Sequence, residues 1–470
     1  MLLRGTFLAM PHLGELRFLT DYVLATDSAG FIIHFDKAST SQSQEIIIQS
    51  LVPPTIVPDG SFIMPNFCDL HLHAPQFLYQ GTGLHLPLMQ WLDEYAFKAE
   101  ERLDADSTLA RRVYTRLAAR LIEHGIGTVL LFGTIKEETN LILAEVMQLA
   151  GIRAFVGKLS MDISSRPTYV EKSAETALSA VNSFVDRCAQ LVDHLPSHLR
   201  LVKPVITPRF VPTCSDELLQ GLGQLSESKS LRIQSHMAEA HDQVDWVRQE
   251  RGMEDIEVFD RHRLLTPRTI QAHCTFLGHH ELSHIASRGT AVAHCPLSNA
   301  YFSAEPFHLR EALQQGVKVG LGTDIAGGYS VDIMDAMRHA VAVSRMREGA
   351  RILSHRADGT THDVSQNLAI DWKEALYLAT QGGMHALGLS TGSGSFKIGA
   401  PFDAQQIRLF DPETGMGAGA LDFFDLETNI PEGRNVDMEM LEKWWCLGDS
   451  RNRVAMWVQG IQVTKGFADV

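Results

Sequence analysis

No stretch of this sequence approaches the roughly 18 uninterrupted apolar residues that a membrane-spanning helix needs. The opening "MLLRGTFLAMPHLGELRFL" is apolar at first sight, but Arg4, Glu15 and Arg17 break it, so it makes a poor signal peptide. Cysteine is scarce as well. The six present, Cys68, Cys188, Cys214, Cys274, Cys295 and Cys446, are scattered and form no CxxC pair. That spacing argues against a disulfide framework and for a reducing, cytoplasmic setting. Positive charge is also short, with 41 Lys and Arg against 56 Asp and Glu and a formal net charge of -15. With no basic run to offset this balance, a polyanion-binding surface is not expected, and neither nucleic acid nor membrane enters as a partner.

What is present is a 470-residue chain, 45% hydrophobic and 21% charged, which is an ordinary globular composition on a scale that permits one large barrel with additions. Eight short apolar or β-branched runs recur between about residues 61 and 324: "SFIMPNF", "GTVLLFGT", "RAFVGKLSM", "LVKPVITPRF", "LRIQSHMAE", "TIQAHCTFL", "TAVAHCPLS" and "VKVGLGTD". Amphipathic helical segments alternate with them. "STLARRVYTRLAARLIEHG" carries an apolar stripe that stops at Gly125, and "NLILAEVMQLAG" stops at Gly151. Eight βα units predict an α/β fold with a closed (β/α)8 TIM-like barrel over residues 63–395. The flanks, 1–62 and 396–470, read as short strands and turns, with Asp27 to Gly30 as a hairpin connection, and predict a small composite β-sandwich module. Residues 408–438 and the stretch around 350–366 read as insertion loops.

Polar residues collect near the carboxyl ends of the runs: His71 and His73, Arg209, His236 and Glu239, His273, His294 and Asp324. In a parallel barrel those ends share one face. A lone His-x-His is more often two ordinary strand histidines than a ligand pair, although strand geometry points both to one side. The later strand ends supply the missing partners. His71, His73, His236 and Asp324 give three nitrogens and a carboxylate, a set suited to a zinc ion with a water. A single metal fits better than two, because Arg209 occupies the rim where a second cation would meet repulsion. Glu239, three residues after His236, is the candidate proton shuttle, its alternative being an exposed carboxylate at a helix start. His273 and His294 could each bond the water or serve as satisfied strand-end imidazoles. Cys274 and Cys295 follow these histidines and read as buried thiols.

The ordered set "DLHLH", "SHMAE", "AHC" and "GTDIAGG" resembles the metal-dependent amidohydrolase superfamily. With "HLHAPQF", "LPLMQWLDEYAF", "VKPVITPRF", "AHCPLSN", "LATQGGMHALGL" and "LGDSRN", it is similar more narrowly to the guanine-deaminating members of that superfamily. The resemblance runs from "RGTF" to the final strands. It implies a hydrolase with one zinc ion per subunit, a homodimer in cytosolic purine salvage, and guanine and water as substrates. On the same likeness Glu239, His273 and Asp324 are catalytic. His73, Ala74, Pro75 and Gln76 form a turn against the purine, Arg209 and Phe210 face it, and His236, Glu239 and Asp324 complete the contacts. Trp91 either frames the pocket or packs in the core. The rival expectations are an amidohydrolase acting on cytosine, a triazine or an adenine-like heterocycle, and a catalytically silent barrel scaffold. The sequence departs from the family in "QQIRLF", less apolar than the usual strand there, and in the long "REGARILSHRADGTTHDVSQ".

Overall fold

A computed structural model of the chain describes residues 1–357, 367–390, 392–428 and 436–464. Eight parallel strands form the central sheet in strict chain order: Phe67–His73, Ile126–Phe132, Arg153–Ser160, Val202–Pro208, Ile233–Met237, Thr269–His273, Ala291–His294 and Lys318–Leu321. Just beyond the last strand, Asp324 N donates to His71 O at 2.8 Å and His73 N to Ile325 O at 2.8 Å, tying the eighth strand's exit to the first strand. The expected TIM-like barrel is therefore the fold. Helices stop where the sequence supplies a left-handed residue. The helix Ser107–Glu123 ends ahead of Gly125 (φ 72°), and Glu137–Leu149 ahead of Gly151 (φ 72°).

One strand assignment needs correction. Ser61–Pro65 belongs not to the barrel but to a second, separate sheet, where it pairs with Ala404–Arg408; the first barrel strand begins after Asn66. A continuous apolar run hides such a break, because both strands are buried along their whole length. The expected division after residue 62 thus falls inside a strand of the terminal sheet.

That second sheet draws strands from both chain ends, Leu2–Ala9, Arg17–Thr26 and Ile32–Lys37 from one, Ala404–Arg408, Arg453–Val458 and Ile461–Gln462 from the other, hydrogen-bonded into one path through Ser61–Pro65. Its core gathers Leu3, Phe7, Leu24, Phe396 and Trp457. Asp27 to Gly30 makes the expected connection, with Asp27 Oδ1 accepting from Ala29 N and Phe31 N at 2.9 Å each. Gly30 is required there, since its φ is 80° and a Cβ would lie 1.9 Å from Gln459 O. The polar "QQIRLF" does form an interior strand. Its buried Gln405 is satisfied by Pro65 O, at 3.2 Å, and Arg453 Nε, at 2.6 Å. Across to the barrel, Asp403 receives Arg153 at 2.9 Å and Asn66 Nδ2 donates to Trp457 O at 2.7 Å.

The stretch read as a loop from residue 350 is helical to its midpoint, since Ile333–Ala357 is one helix; residues 358–366 lie outside the described residues. Within it Arg351 pairs with Glu348 three residues earlier, and Arg347 pairs with Glu311 of the helix Leu309–Gln314. Residues 408–438 likewise contain a short helix, Phe424–Thr428. All six cysteines are free, and only Cys446 is exposed. No described helix is long and apolar enough to cross a membrane.

Candidate metal and substrate site

At the carboxyl end of the barrel, His71 and His73 leave the first strand, His236 the fifth, and Asp324 the turn after the eighth. Close packing makes this possible: a Cβ on Gly322 would sit 2.8 Å from His71 Cβ and 2.9 Å from Cys295 Sγ. Asp69 braces the same corner, accepting from His71 N at 3.1 Å, Thr323 N at 3.0 Å and Thr323 Oγ1 at 2.5 Å.

The ring nitrogens converge. His73 Nε2 lies 2.9 Å from His236 Nε2, His71 Nε2 is 3.0 Å from Asp324 Oδ1, and His73 Nε2 is 3.6 Å from that oxygen. Coordinating atoms of His71, His73 and His236 fall within 4.8 Å of one another. Burial, reinforced by neighbouring histidines, holds all three imidazoles well below their ordinary pKa, so they are neutral. His236 Nδ1 lies 2.7 Å from Arg209 O, which can only accept, so Nδ1 carries the proton and Nε2 presents a lone pair to the cluster. His71 Nε2 has no hydrogen-bond partner despite its burial. Lone pairs crowded this way, with a carboxylate beside them, fit a metal ion; ligands about 2.0–2.1 Å from such an ion lie about 3.3 Å apart.

A narrow cleft opens beside these donors and is lined by His73, Gln76, Trp91, Arg209, Phe210, His236, Glu239 and Asp324, with Leu88, Leu92, Phe302 and Gly327. Ala74 and Pro75 do not line it; they are buried in the turn Ala74–Tyr79 that carries Gln76 to the wall. Glu239 is 6% exposed, and burial, with Asp324 adding repulsion, raises its carboxyl well above the usual range. Asp324 is raised for the same first reason, with His273 acting in opposition. Glu239 is held by its backbone, whose N–H donates to Gln243 Oε1 at 2.9 Å. Gln243 Nε2 in turn donates to Asp255 Oδ2 at 2.9 Å, and Ala238 N donates to the same oxygen at 2.8 Å.

The two spare histidines separate. His273 Nε2 stands 3.5 Å from Glu239 Oε1 and 3.8 Å from Asp324 Oδ2, while its Nδ1 lies 2.9 Å from Asn299 Oδ1. His294 lines a different cavity with Asn299, Phe307 and Arg347, and burial depresses its pKa to about 3. Ala238, His273, Cys274 and Asp324 all adopt positive φ, between 47° and 68°, a concentration of backbone strain at the strand ends that bear the polar groups. Sequence reasoning did not single out Asp69, Glu100, Gln243, Asp255, Asn299 or Phe302. Glu100 is fully buried, 2.6 Å from Arg209 Nη1, a contact across 109 positions that no local pattern signals.

Against known proteins, the model of the amidohydrolase family matches residues 62–460. Guanine deaminases from Mus musculus and Dictyostelium discoideum are 34% and 33% identical over 468 and 473 residues, covering 98% of this chain in both cases and 96% and 98% of their own lengths. The solved guanine deaminase from C. acetobutylicum, with guanine bound in its active site, is similar at a TM-score of 0.83 and 27% identity, over 98% of this chain and 99% of that one.

Proposed function

Since the chain belongs to the amidohydrolase family and, within it, to the guanine deaminases, we propose that His71, His73, His236 and Asp324 hold one zinc ion per subunit beside the cleft that takes guanine. The reaction is hydrolytic removal of the C2 amino group of guanine, giving xanthine and ammonia. The observation that carries the residue roles is the convergence of three unprotonated imidazole nitrogens and the Asp324 carboxylate beside a cleft that Glu239 and Arg209 also line.

A divalent ion held by these residues would polarise water and bring its pKa toward neutrality. Asp324 and His273 orient the attacking water and accept its proton: with Nδ1–H turned to Asn299, His273 offers its Nε2 lone pair toward Asp324 and Glu239. Glu239, kept protonated by its burial, donates to ring N3 as attack on C2 breaks the conjugation of the ring. The proton taken from water passes from His273 Nε2 to Glu239, 3.5 Å away, which delivers it to the departing amine and is reprotonated by the C2 hydroxyl as that becomes the carbonyl. Arg209 donates to O6, Phe210 packs on the ring, and Trp91 frames the cleft. Gln76 presents its amide edge to the base, while Ala74 and Pro75 shape the turn that delivers it.

In the same reading, residues 66–395 form the catalytic unit and 1–65 with 396–470 the terminal module, the expected division after residue 62 being moved to keep the strand Ser61–Pro65 whole. The enzyme works as a cytosolic homodimer in purine salvage, a setting compatible with six free cysteines. Side-by-side turnover of guanine, cytosine and a triazine tests the substrate, with guanine expected to exceed the others by at least about 10³-fold in kcat/KM. Comparable rates on all three would reject the assignment.

A further inference from the structure

Glu100 has no role in the reaction described above, yet it is fully buried and touches two of the side chains assigned to the base, Arg209 and Gln76. Its Oε2 accepts from Arg209 Nη1 at 2.6 Å and its Oε1 from Gln76 Nε2 at 3.1 Å. Phe97, one helical turn earlier on the helix Phe97–Ala105, lies under the same guanidinium, 4.8 Å from Arg209 Cζ to the ring centre. A buried carboxylate is costly unless paired, and apolar residues would often fill the same space at no loss of stability, so bulk alone does not account for this residue.

We propose that Glu100 is a positioning residue that makes the cleft selective for 6-oxopurines, an inference that rests on Arg209 reading position C6. A carboxylate can only accept, so it fixes the direction of both neighbours. Arg209 is anchored through Nη1, leaving Nη2 without a partner although it is buried. Gln76 must turn Nε2 to Glu100, and its Oε1 then accepts from Ala326 N at 3.2 Å. The wall facing C6 is thus a fixed donor. It bonds a carbonyl oxygen, whereas a C6 amino group would place donor against donor, and a bare C6–H would leave Nη2 unpaired.

The test compares guanine with 2-aminopurine, which keeps the C2 amino group and lacks O6, in Glu100→Gln, Glu100→Asp and Arg209→Ala. 2-Aminopurine is followed as a substrate and as a competitive inhibitor of guanine turnover. In Glu100→Gln the carbonyl still accepts from one neighbour, but the new NH2 meets the other donor and the charge opposite Arg209 is lost, so KM for guanine should rise on the order of ten-fold or more, with kcat falling less. The 2-aminopurine constant should stay within about two-fold, since that base makes no bond at C6. Glu100→Asp keeps the charge and should fall between Glu100→Gln and the parent. Metal content should match the parent in both Glu100 variants. Equal losses on both purines, in Glu100→Gln or in Glu100→Asp should the amide variant not fold, would overturn the proposal as a purely structural effect. Unchanged guanine KM in Glu100→Gln alongside a guanine-specific loss in Arg209→Ala would refute Glu100 alone. A loss in Arg209→Ala that does not distinguish the purines would instead remove the underlying reading of C6.

Discussion

Replacing Glu239 by Gln separates proton transfer from every other function of the cleft. The amide is nearly isosteric, so the ligands and the base-binding wall should persist, but no proton can be delivered to N3 or to the leaving amine. A positioned general acid contributes about 10²–10⁴ in rate, or ~3–5 kcal/mol. The upper half of that range applies here for two structural reasons. Glu239 is 6% exposed, which keeps solvent from substituting, and Asp324, the other carboxylate that lines the cleft among the described residues, is committed to the proposed metal set. The expected kcat is therefore reduced by about 10³-fold or more, measured as xanthine formation with ammonia in parallel. Metal analysis should find parental content. The metal-free variant should also be more resistant to heat than the metal-free parent at neutral pH. Burial raises the folded-state pKa of Glu239, so its ionisation disfavours the folded chain above the ordinary carboxylate range, a cost the amide does not carry. Activity within ten-fold of the parent, with metal retained, would refute Glu239 as the acid.

Three further outcomes are expected. His71→Ala removes a donor from the convergent set, so metal content after gel filtration should fall below about a tenth of the parent's; full occupancy with full activity would contradict the ligand assignment. Arg209→Ala strands Glu100 in the interior without its cation and removes the stack on Phe97, so chemical denaturation should show a loss of about 3–5 kcal/mol, together with weakened guanine use. Asp255→Asn tests the brace behind Glu239. Burial raises the Asp255 pKa from 3.8 to about 7, so between those values the unfolded chain releases its proton first and the parent loses stability as pH rises, by on the order of 1 kcal/mol per pH unit; the variant should lack that increment, and parallel stability curves would reject it.

How far the chain could be read without coordinates differs by element. Strand-end residues such as His71, His236 and Asp324 were legible because a parallel barrel brings all its carboxyl ends together, so strand order alone predicts convergence. Helix stops at Gly125 and Gly151 were legible because the signal is local. The split at Asn66 was not, since two fully buried strands leave no periodicity across the break. Nor was Glu100, because "FKAEERLD" reads as a solvated helix face and only Arg209, arriving from the fourth strand, makes its fourth residue an interior one. Asn299 and Asp255 escaped for the same reason: each is defined by what it holds, His273 in one case and the Glu239 loop in the other. His294, which the sequence left open between two roles, turns its ring to another cavity.

The central claim is that the His71, His73, His236 and Asp324 cluster holds a zinc ion on which guanine deamination depends. The direct measurement strips the purified protein with a chelator, removes the chelator, and follows xanthine production from guanine as zinc is added back. The account predicts loss of more than about 99% of activity on stripping, then a linear return that saturates at one zinc per chain. Undiminished xanthine production by protein shown to contain no metal would contradict it.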